Sequence, residues 1–302
     1  MAHLSQMGRA LDRRATLREV MEGQASSDGR PRGWSAAVGE LGAIDRHDLH
    51  DLGEKHRDAY RTASPWPHVV IDGLFDPDVV ARARAEELGP ALELIPRRSN
   101  RRVKAESPGP AGPTAGAILQ RLLADDVCDM LTTLTGIPDL VSDPSHWWAG
   151  VHVLAPASFE AVHRDFARDS TGHLWHRVNI LVYLNPDWQS EWGGQLELWD
   201  TSMTTCHRRI EPVGGRMIIF EPGPDALHGI PAVSCPVGDA RLTLASYYYT
   251  ADPGPHAGRH HSRAIGLPRR PGEPLRASIA IPFNPLRWIR DRAAAVVRRL
   301  AP

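Results

Sequence analysis

Short apolar segments alternate with turns over most of the chain after residue 148. Strands are predicted, between turns that contain Gly, Pro or Asn, at 149–155, 158–163, 177–184, 195–200, 207–211, 215–220 and 241–250. Many short strands separated by turns of this kind are typical of a barrel or a jelly roll. The pattern therefore predicts a mainly β fold.

Two of these strands carry polar residues in a fixed phase. Side chains two residues apart point to the same face of a strand. Asn179, Leu181 and Tyr183 therefore share one face of their strand, and Arg241 shares a face of the last strand with alternate residues over 243–249. If both faces point inward, Tyr183 and Arg241 line a polar pocket.

The first half of the chain has the spacing of helices. Helices are predicted at 47–61, at 77–88 after a short buried strand within 65–75, and at 117–136. The stretch 97–116 combines basic residues with Pro and Gly and is predicted to be an irregular loop. Such a loop either has no role or is a lid that brings positive charge to a substrate.

The sequence divides into three parts. Residues 1–60 are predicted to be an N-terminal extension, whose leucine spacing indicates helix. Residues 61–252 are predicted to be the β domain with its flanking helices. Residues 253–302 form a Pro-rich segment in which 258–302 hold ten Arg and two acidic residues. A short basic helix is predicted at 288–300, docked on the core, with binding to a membrane surface as the minor alternative.

Composition and charge exclude several classes of protein. The 302 residues are 42% hydrophobic and carry a net charge of −1, which gives no argument for nucleic acid. Cys128, Cys206 and Cys235 have neither disulfide nor zinc spacing and fit a reducing compartment. Charges interrupt the first twenty residues, which argues against a signal peptide. No apolar run reaches the roughly twenty residues of a membrane span. We therefore expect a cytoplasmic protein without a nucleic-acid partner or membrane span; no oligomeric state is indicated.

A candidate metal site begins with His163 and Asp165, which lie two residues apart. In extended chain both can reach one ion, while Arg164 points away. His228 is the best candidate for a third ligand, and it follows a short apolar strand. Two histidines and a carboxylate on one face of an ion leave other positions open, which suits Fe(II) in oxygenases. A His-x-Asp pair alone is commonly a surface turn, but His228 and the later Arg241 favour the metal.

Other histidines are weaker candidates. His173 and His176 fall in a predicted loop after Asp165, where a loop position or a substrate contact is expected rather than a metal. His152 lies on the preceding strand and is expected to be a polar residue of the core that could face the pocket. The histidines at 256, 260 and 261 fall in the Pro-rich tail and are expected to be exposed.

Together these residues resemble one known family. The chain resembles the Fe(II)- and 2-oxoglutarate-dependent dioxygenases, specifically the prolyl-4-hydroxylase-like branch, over roughly residues 66–250. The motifs that carry the resemblance are His163-Arg164-Asp165, residues 183–188 (YLNPDW), residues 192–196 (WGGQL), His228-Gly229, and Arg241 with the tyrosines at 247–249. Taken together they are far more specific than any one of them.

The resemblance implies a fold, ligands and a site. The fold is a double-stranded β-helix, a jelly-roll or cupin-like barrel with helices packed on one sheet. The residues matching His163, Asp165 and His228 bind Fe(II), the one matching Arg241 pairs with the distal carboxylate of 2-oxoglutarate (2OG), and the one matching Tyr183 hydrogen-bonds the same carboxylate. Asn179, on the same strand face, is a further candidate for contact with the co-substrate.

One departure concerns the spacing of the last two motifs. His228 and Arg241 are thirteen positions apart, which is more than in many relatives. Pro231, Pro236 and Gly238 lie between them, so we expect a loop that absorbs the extra length.

The activity implied is hydroxylation of an unactivated C–H bond of a small molecule, an amino acid or a natural-product intermediate. O2 is consumed and 2OG is decarboxylated to succinate. Related halogenases lack the carboxylate, so Asp165 favours hydroxylation or a similar oxidation. The alternatives are a peptidyl (prolyl) hydroxylase of the same chemistry, a non-catalytic metal-binding jelly-roll sensor, and a zinc or manganese hydrolase or isomerase, which would leave Arg241 without a role.

Overall fold

The computed structural model describes residues 39–93, 105–107, 109–143, 149–169 and 172–256. Within these ranges the helices are α1 (Ala43–Arg46), α2 (Leu49–Arg61), α3 (Pro77–Glu93), α4 (Pro113–Leu122) and α5 (Asp125–Thr135). The strands are β1 (His68–Ile71), β2 (Ala105–Ser107), β3 (Val141–Ser142), β4 (Gly150–Leu154), β5 (Glu160–His163), β6 (Trp175–Tyr183), β7 (Leu196–Trp199), β8 (Cys206–Ile210), β9 (Met217–Phe220), β10 (Leu227–Ile230) and β11 (Arg241–Thr250). Two 3-10 helices cover Ser190–Trp192 and Gly254–His256.

The strands form two antiparallel sheets. The larger sheet has the order β1-β9-β6-β11-β4-β2, with β3 also paired to β11, and the smaller sheet has the order β5-β10-β7-β8. Apolar side chains of both sheets meet in one cluster, which includes Tyr183 and Phe220 from the larger sheet and Leu198 and Ile230 from the smaller. The mainly β, double-stranded β-helix prediction is confirmed by this pair of facing sheets with helices alongside.

The helices cover the outer face of the larger sheet. On β6, Val178, Ile180 and Val182 belong to the same core cluster as the buried faces of α2, α4 and α5. Each fully buried aliphatic side chain of this kind contributes about 1.5–3 kcal/mol relative to exposure. The alternate residues Asn179 and Leu181 face the space between the sheets, as the phase of the strand predicts.

Helix α2 is capped at its start and bonded to α5 near its middle. The Asp48 carboxylate accepts from the His50 N–H at 2.9 Å and caps the helix, so the helix begins at Leu49. Arg57 Nε donates to the Thr133 carbonyl at 2.7 Å. The predicted helix at 47–61 is therefore present, and it packs on the helical layer that covers the sheet.

The predicted loop at 97–116 and helix at 117–136 are wrong in their bounds. Pro113 lies in the first turn of α4, where its missing N–H costs nothing, and β2 precedes it. The single predicted helix is two helices, because Ala124 is extended (φ −68°, ψ 153°). Asp125 and Asp126 then fill the first turn of α5, which favours a new helix start.

Other predictions fall outside the described residues. These are the N-terminal residues 1–38, the basic residues at 97–104, and the helix at 288–300 together with the rest of 257–302. The division of the chain at residues 60 and 252 stays a prediction.

Helix α3 runs to Glu93 rather than to residue 88. No helix in the described part of the chain has the length and apolarity needed to cross a bilayer.

Candidate metal centre

The first two histidines of the predicted site lie directly opposite each other on the smaller sheet. His163 is the last residue of β5, and it pairs in register with His228 on β10. Their ring centres are 4.4 Å apart. The sequence places His228 after a strand, whereas the structure places it within the short strand β10, which had not been predicted. That strand position explains why a residue 65 positions away from His163 faces it.

Asp165 completes the group. Its Oδ1 lies 3.5 Å from His163 Nε2 and 3.6 Å from His228 Nε2. One ligand atom from each of the three residues lies within 4.8 Å of the others. An ion bound at about 2.0–2.2 Å from nitrogen and carboxylate ligands requires spacings of this size. The structure therefore brings the three predicted ligands to one point.

Backbone carbonyls orient both imidazoles. His163 Nδ1 lies 2.8 Å from the Ala161 carbonyl, and His228 Nδ1 lies 3.0 Å from the Ala226 carbonyl. A carbonyl oxygen only accepts, so Nδ1 carries the proton in each ring. Nε2, the atom that faces Asp165, then carries the lone pair that a metal would bind.

Burial and charge favour the protonation states that a metal requires. Burial lowers the pKa of His228, so the ring is neutral at neutral pH. Burial alone would raise the pKa of Asp165, but the adjacent His228 and His163 outweigh it and hold that pKa well below its ordinary value. The site thus presents a neutral His228 imidazole and an ionised Asp165 carboxylate.

Arg241 is fixed in the wall of the same cavity. It opens β11, and its side chain is almost fully buried. Its Nε donates to the Gly194 carbonyl at 2.6 Å and its Nη1 to Thr243 Oγ1 at 2.8 Å. Nη2 is buried without a hydrogen-bond partner among the described residues. Burial lowers the pKa of Arg241, but a guanidinium stays charged in proteins.

Tyr183 stands beside this guanidinium. The guanidinium carbon of Arg241 lies 4.7 Å from the centre of the Tyr183 ring. Burial raises the pKa of Tyr183, so its hydroxyl keeps its proton at neutral pH. The hydroxyl is buried and accepts or donates no hydrogen bond within the described residues. Arg241 lines the cavity, whereas Tyr183, which was predicted to line it too, lies behind the guanidinium and is not part of the lining.

The third residue predicted to contact the co-substrate lies nearer to the metal ligands. Asn179 Nδ2 donates to Asp165 Oδ2 at 2.6 Å. Asn179 therefore contacts the carboxylate of the triad directly, while any contact with a co-substrate stays a prediction.

The cavity is lined by most of the predicted site residues. Its lining comprises His152, Glu160, His163, Asp165, Asn179, Leu181, Leu196, Phe220, His228, Ile230, Arg241, Thr243 and Tyr247. Glu160 was not predicted. It lies three residues before His163, a spacing that puts two side chains on opposite faces of a regular strand.

An irregularity in β5 explains the position of Glu160. Its partner on β10 is Ile230, two residues after His228, while Glu160 is three residues before His163. The extra residue on β5 is a bulge, which lets both side chains face the cavity. The Glu160 carboxylate lies 3.8 Å from His163 Nε2. Simple alternation along the sequence could not have shown this.

The histidines that were weaker candidates for the metal site occupy different environments in the structure. His152 lies on β4 and lines the cavity, as expected of a polar core residue. His176 is not in a loop but is buried in β6, and a register shift at the facing Tyr248 and Tyr249 turns it toward the interior. Its ring stacks on Phe166 with centres 4.4 Å apart. His173 lies in the turn before β6, and the residues from 257 onward are not described.

Hydrogen bonds of the YLN motif align β11. Asn185 Oδ1 accepts from the Leu242 N–H at 2.8 Å, and its Nδ2 donates to the Leu242 carbonyl at 3.1 Å. Arg84 from α3 binds Asn185 Oδ1 at 2.8 Å and pairs with Asp239. These contacts hold the start of β11, so the loop at 231–240 absorbs the extra residues and Arg241 still reaches the cavity.

Comparisons with known proteins agree with this arrangement. Residues 149–249 match the family model described as the 2OG-Fe(II) oxygenase superfamily. No curated protein matches the sequence.

Several solved structures are similar at low identity. A prolyl-4-hydroxylase from Pseudomonas putida is 22% identical, with 67% of this chain and 98% of that chain covered and a TM-score of 0.46. A prolyl hydroxylase from Trichoplax adhaerens, solved with a hypoxia inducible factor peptide fragment, is 19% identical over 72% and 94%, with a TM-score of 0.45. The viral collagen prolyl hydroxylase of Paramecium bursaria Chlorella virus-1 is 16% identical over 61% and 96%, with a TM-score of 0.42.

Proposed function

We propose that this chain, in which residues 149–249 match the 2OG-Fe(II) oxygenase superfamily and His163, Asp165 and His228 form the metal triad, hydroxylates an unactivated C–H bond of a small molecule. An amino acid or a natural-product intermediate is the class of substrate proposed. Fe(II), 2OG and O2 are the cofactor and co-substrates of the reaction.

One observation carries this proposal: a buried guanidinium with an unused donor shares a cavity with the triad. Among the described residues no carboxylate forms an ion pair with Arg241, and its Nη2 has no acceptor. A buried charge without a partner is costly, whereas a ligand carboxylate can accept two parallel N–H bonds from a guanidinium. The dicarboxylic acid 2OG therefore fits the residues present, and Tyr183 can donate to the same carboxylate.

The protein supplies positioning and a dry environment. When bound, Fe(II) and 2OG supply the oxidising chemistry, and 2OG leaves as succinate and CO2. Arg241 and Tyr183 hold one end of the co-substrate, and the triad defines the other end. The apolar wall formed by Leu181, Leu196 and Phe220 limits water around the reacting centre.

Substrate-stimulated succinate formation tests the proposal. The protein would be incubated with Fe(II), 2OG and O2, together with free amino acids and other small metabolites in one arm and proline-containing peptides in the other. We expect a small molecule to raise succinate formation and to gain one oxygen atom by mass, and the Asp165→Ala variant to give neither. Stimulation by peptides alone would overturn the small-molecule proposal, and no succinate with any compound would favour a metal-binding sensor.

A further inference from the structure

Asn179 has a position that the triad and the co-substrate pocket do not by themselves explain. It lies in the middle of β6, it is 2% exposed, and it lines the cavity. It pairs in register with Tyr247 on β11 and with Phe220 on β9, so the strand holds it firmly on both sides. We propose that Asn179 is a positioning residue that keeps Asp165 a one-oxygen ligand of the metal.

The two oxygens of Asp165 have different surroundings. Oδ1 lies within 3.6 Å of both imidazole Nε2 atoms, whereas Oδ2 accepts from Asn179 Nδ2 at 2.6 Å. A short bond to a carboxylate is among the stronger hydrogen bonds of proteins. Oδ2 is thus engaged away from the two histidines, and Oδ1 is the oxygen that faces them.

The number of oxygens that Asp165 donates matters for the reaction. Carboxylates bind metals through one oxygen or through both. A second oxygen would occupy a position that the proposed function, on which this reasoning rests, requires for 2OG or O2. By holding Oδ2, Asn179 preserves an open position.

The side-chain oxygen of Asn179 is left without a hydrogen bond by the contact between its Nδ2 and Asp165. Because a carboxylate only accepts, the atom that faces Asp165 is Nδ2, and Oδ1 of Asn179 must point elsewhere. That Oδ1 is buried without a hydrogen-bond partner among the described residues. A buried acceptor left unpaired costs free energy and calls for an explanation. The orientation of Asp165 supplies one.

A merely structural asparagine would lack this geometry. Asn185, two residues past the end of β6, illustrates the difference, since its amide is fully used by the backbone of Leu242 and Pro212. In Asn179, by contrast, Nδ2 donates to the predicted metal ligand Asp165, and Oδ1 has no partner among the described residues. Residues that orient the ligands of a metal change its affinity by about 10- to 100-fold when they are replaced.

The experiment uses Co(II) alone, added anaerobically to the full chain without 2OG. Asn179→Leu has nearly the same size and removes the donor, whereas Tyr247→Phe changes a neighbouring residue of the same cavity and serves as the matched control. Co(II) affinity and the visible absorption spectrum of bound Co(II) report ligand number and geometry. Thermal unfolding of the metal-free variants shows whether each is folded.

We expect Asn179→Leu to bind Co(II) about 10-fold more weakly with a changed visible spectrum, and Tyr247→Phe to match the wild type in both. Asn179→Gln, which keeps an amide donor, would regain part of the affinity. A folded Asn179→Leu protein with wild-type Co(II) affinity and spectrum would overturn the positioning role. The Co(II) experiment contains no 2OG and does not depend on turnover. A wild type that binds Co(II) here, but forms no succinate in the separate assay with Fe(II), 2OG and O2, would count against the proposed function and not against this inference.

Discussion

Arg241 Nε donates to the carbonyl oxygen of Gly194 across 2.6 Å. The contact ties β11 to the WGGQL motif, and it requires close approach of the two chains. A Cβ on Gly194 would lie 3.1 Å from Arg241 Cδ and 3.2 Å from Val233 Cγ2. Gly194 also has φ +73°, which an L side chain rarely adopts. This glycine therefore determines where the guanidinium lies.

Gly194→Ala should weaken binding of 2OG. The added methyl group displaces the Arg241 side chain, so we expect affinity for 2OG to fall about 10-fold, equal to about 1.4 kcal/mol. Strain at positive φ should also lower the free energy of unfolding by about 1–2 kcal/mol. Calorimetric titration of 2OG into protein loaded with redox-inert Mn(II) measures the first effect, and urea unfolding measures the second.

Gly136→Ala is the matched control for this variant. Gly136 ends α5 with φ +79°, and a Cβ there meets nothing within 4 Å. It should lose similar stability and keep wild-type affinity for 2OG. Equal affinity of the two variants would show that Gly194 does not position Arg241.

Arg241→Met should abolish tight binding of 2OG without destabilising the protein. Truncation of one partner of a buried charge pair costs about 2–5 kcal/mol of binding free energy, so affinity should fall on the order of 100-fold or more. In the protein without 2OG, the variant removes a desolvated charge that Glu160 stabilises only from beyond salt-bridge distance, so its stability should be equal or higher. Calorimetry on Mn(II)-loaded protein and urea unfolding measure the two quantities. Unchanged affinity for 2OG would refute the assigned role.

Tyr183→Phe should have a smaller effect of the same kind. The ring remains against the Arg241 guanidinium, and only the hydroxyl donor is lost. A hydrogen bond to a charged group contributes about 1.5–3 kcal/mol, so the KM for 2OG should rise about 10-fold or somewhat more while kcat changes little. Since the hydroxyl has no partner among the described residues, unfolding free energy should not fall. A variant with wild-type KM would remove Tyr183 from the co-substrate site.

The loop between β10 and β11 can be tested through its cysteine. Cys235 is 4% exposed, and burial raises the pKa of its thiol to about 11. At pH 8 roughly 0.1% of such a thiol is thiolate, the reactive form. Iodoacetamide should therefore modify the half-buried Cys206 first in native protein, and Cys235 and Cys128 only after unfolding, as peptide mass mapping would show. Alkylation of Cys235 as fast as Cys206 would show that this loop is not packed as described. A reducing compartment for the three free thiols stays a prediction.

The alternation of residues along the strands was sufficient to predict the inward-facing residues of the larger sheet. Both faces of β6 and β11 are buried, but they contact different parts of the protein. Val178 and Leu244 pack in the core with the helices, while Asn179 and Arg241 face the cavity. In such strands a shift of one residue would move every side chain to the other face, so the pattern is strongly constrained. The His163–Asp165 pair was predictable for the same reason.

The inward positions of Glu160 and His176 could not be predicted, because they depend on irregular pairing between strands. The bulge in β5 that turns Glu160 inward, and the shift in β6 that buries His176, each add one residue to a strand without any change of composition. The hydrogen bond from Asn179 to Asp165 links residues fourteen positions apart. Such contacts follow from the path of the chain in space, which local periodicity does not specify.

Equilibrium dialysis of Fe(II) under anaerobic conditions tests the metal centre most directly. Wild-type protein should bind one Fe(II) per chain. Alanine at His163, Asp165 or His228 should weaken binding by at least about 100-fold, whereas His152→Ala, which changes the same cavity outside the triad, should bind as the wild type does. Wild-type affinity in the His228→Ala variant would contradict the account.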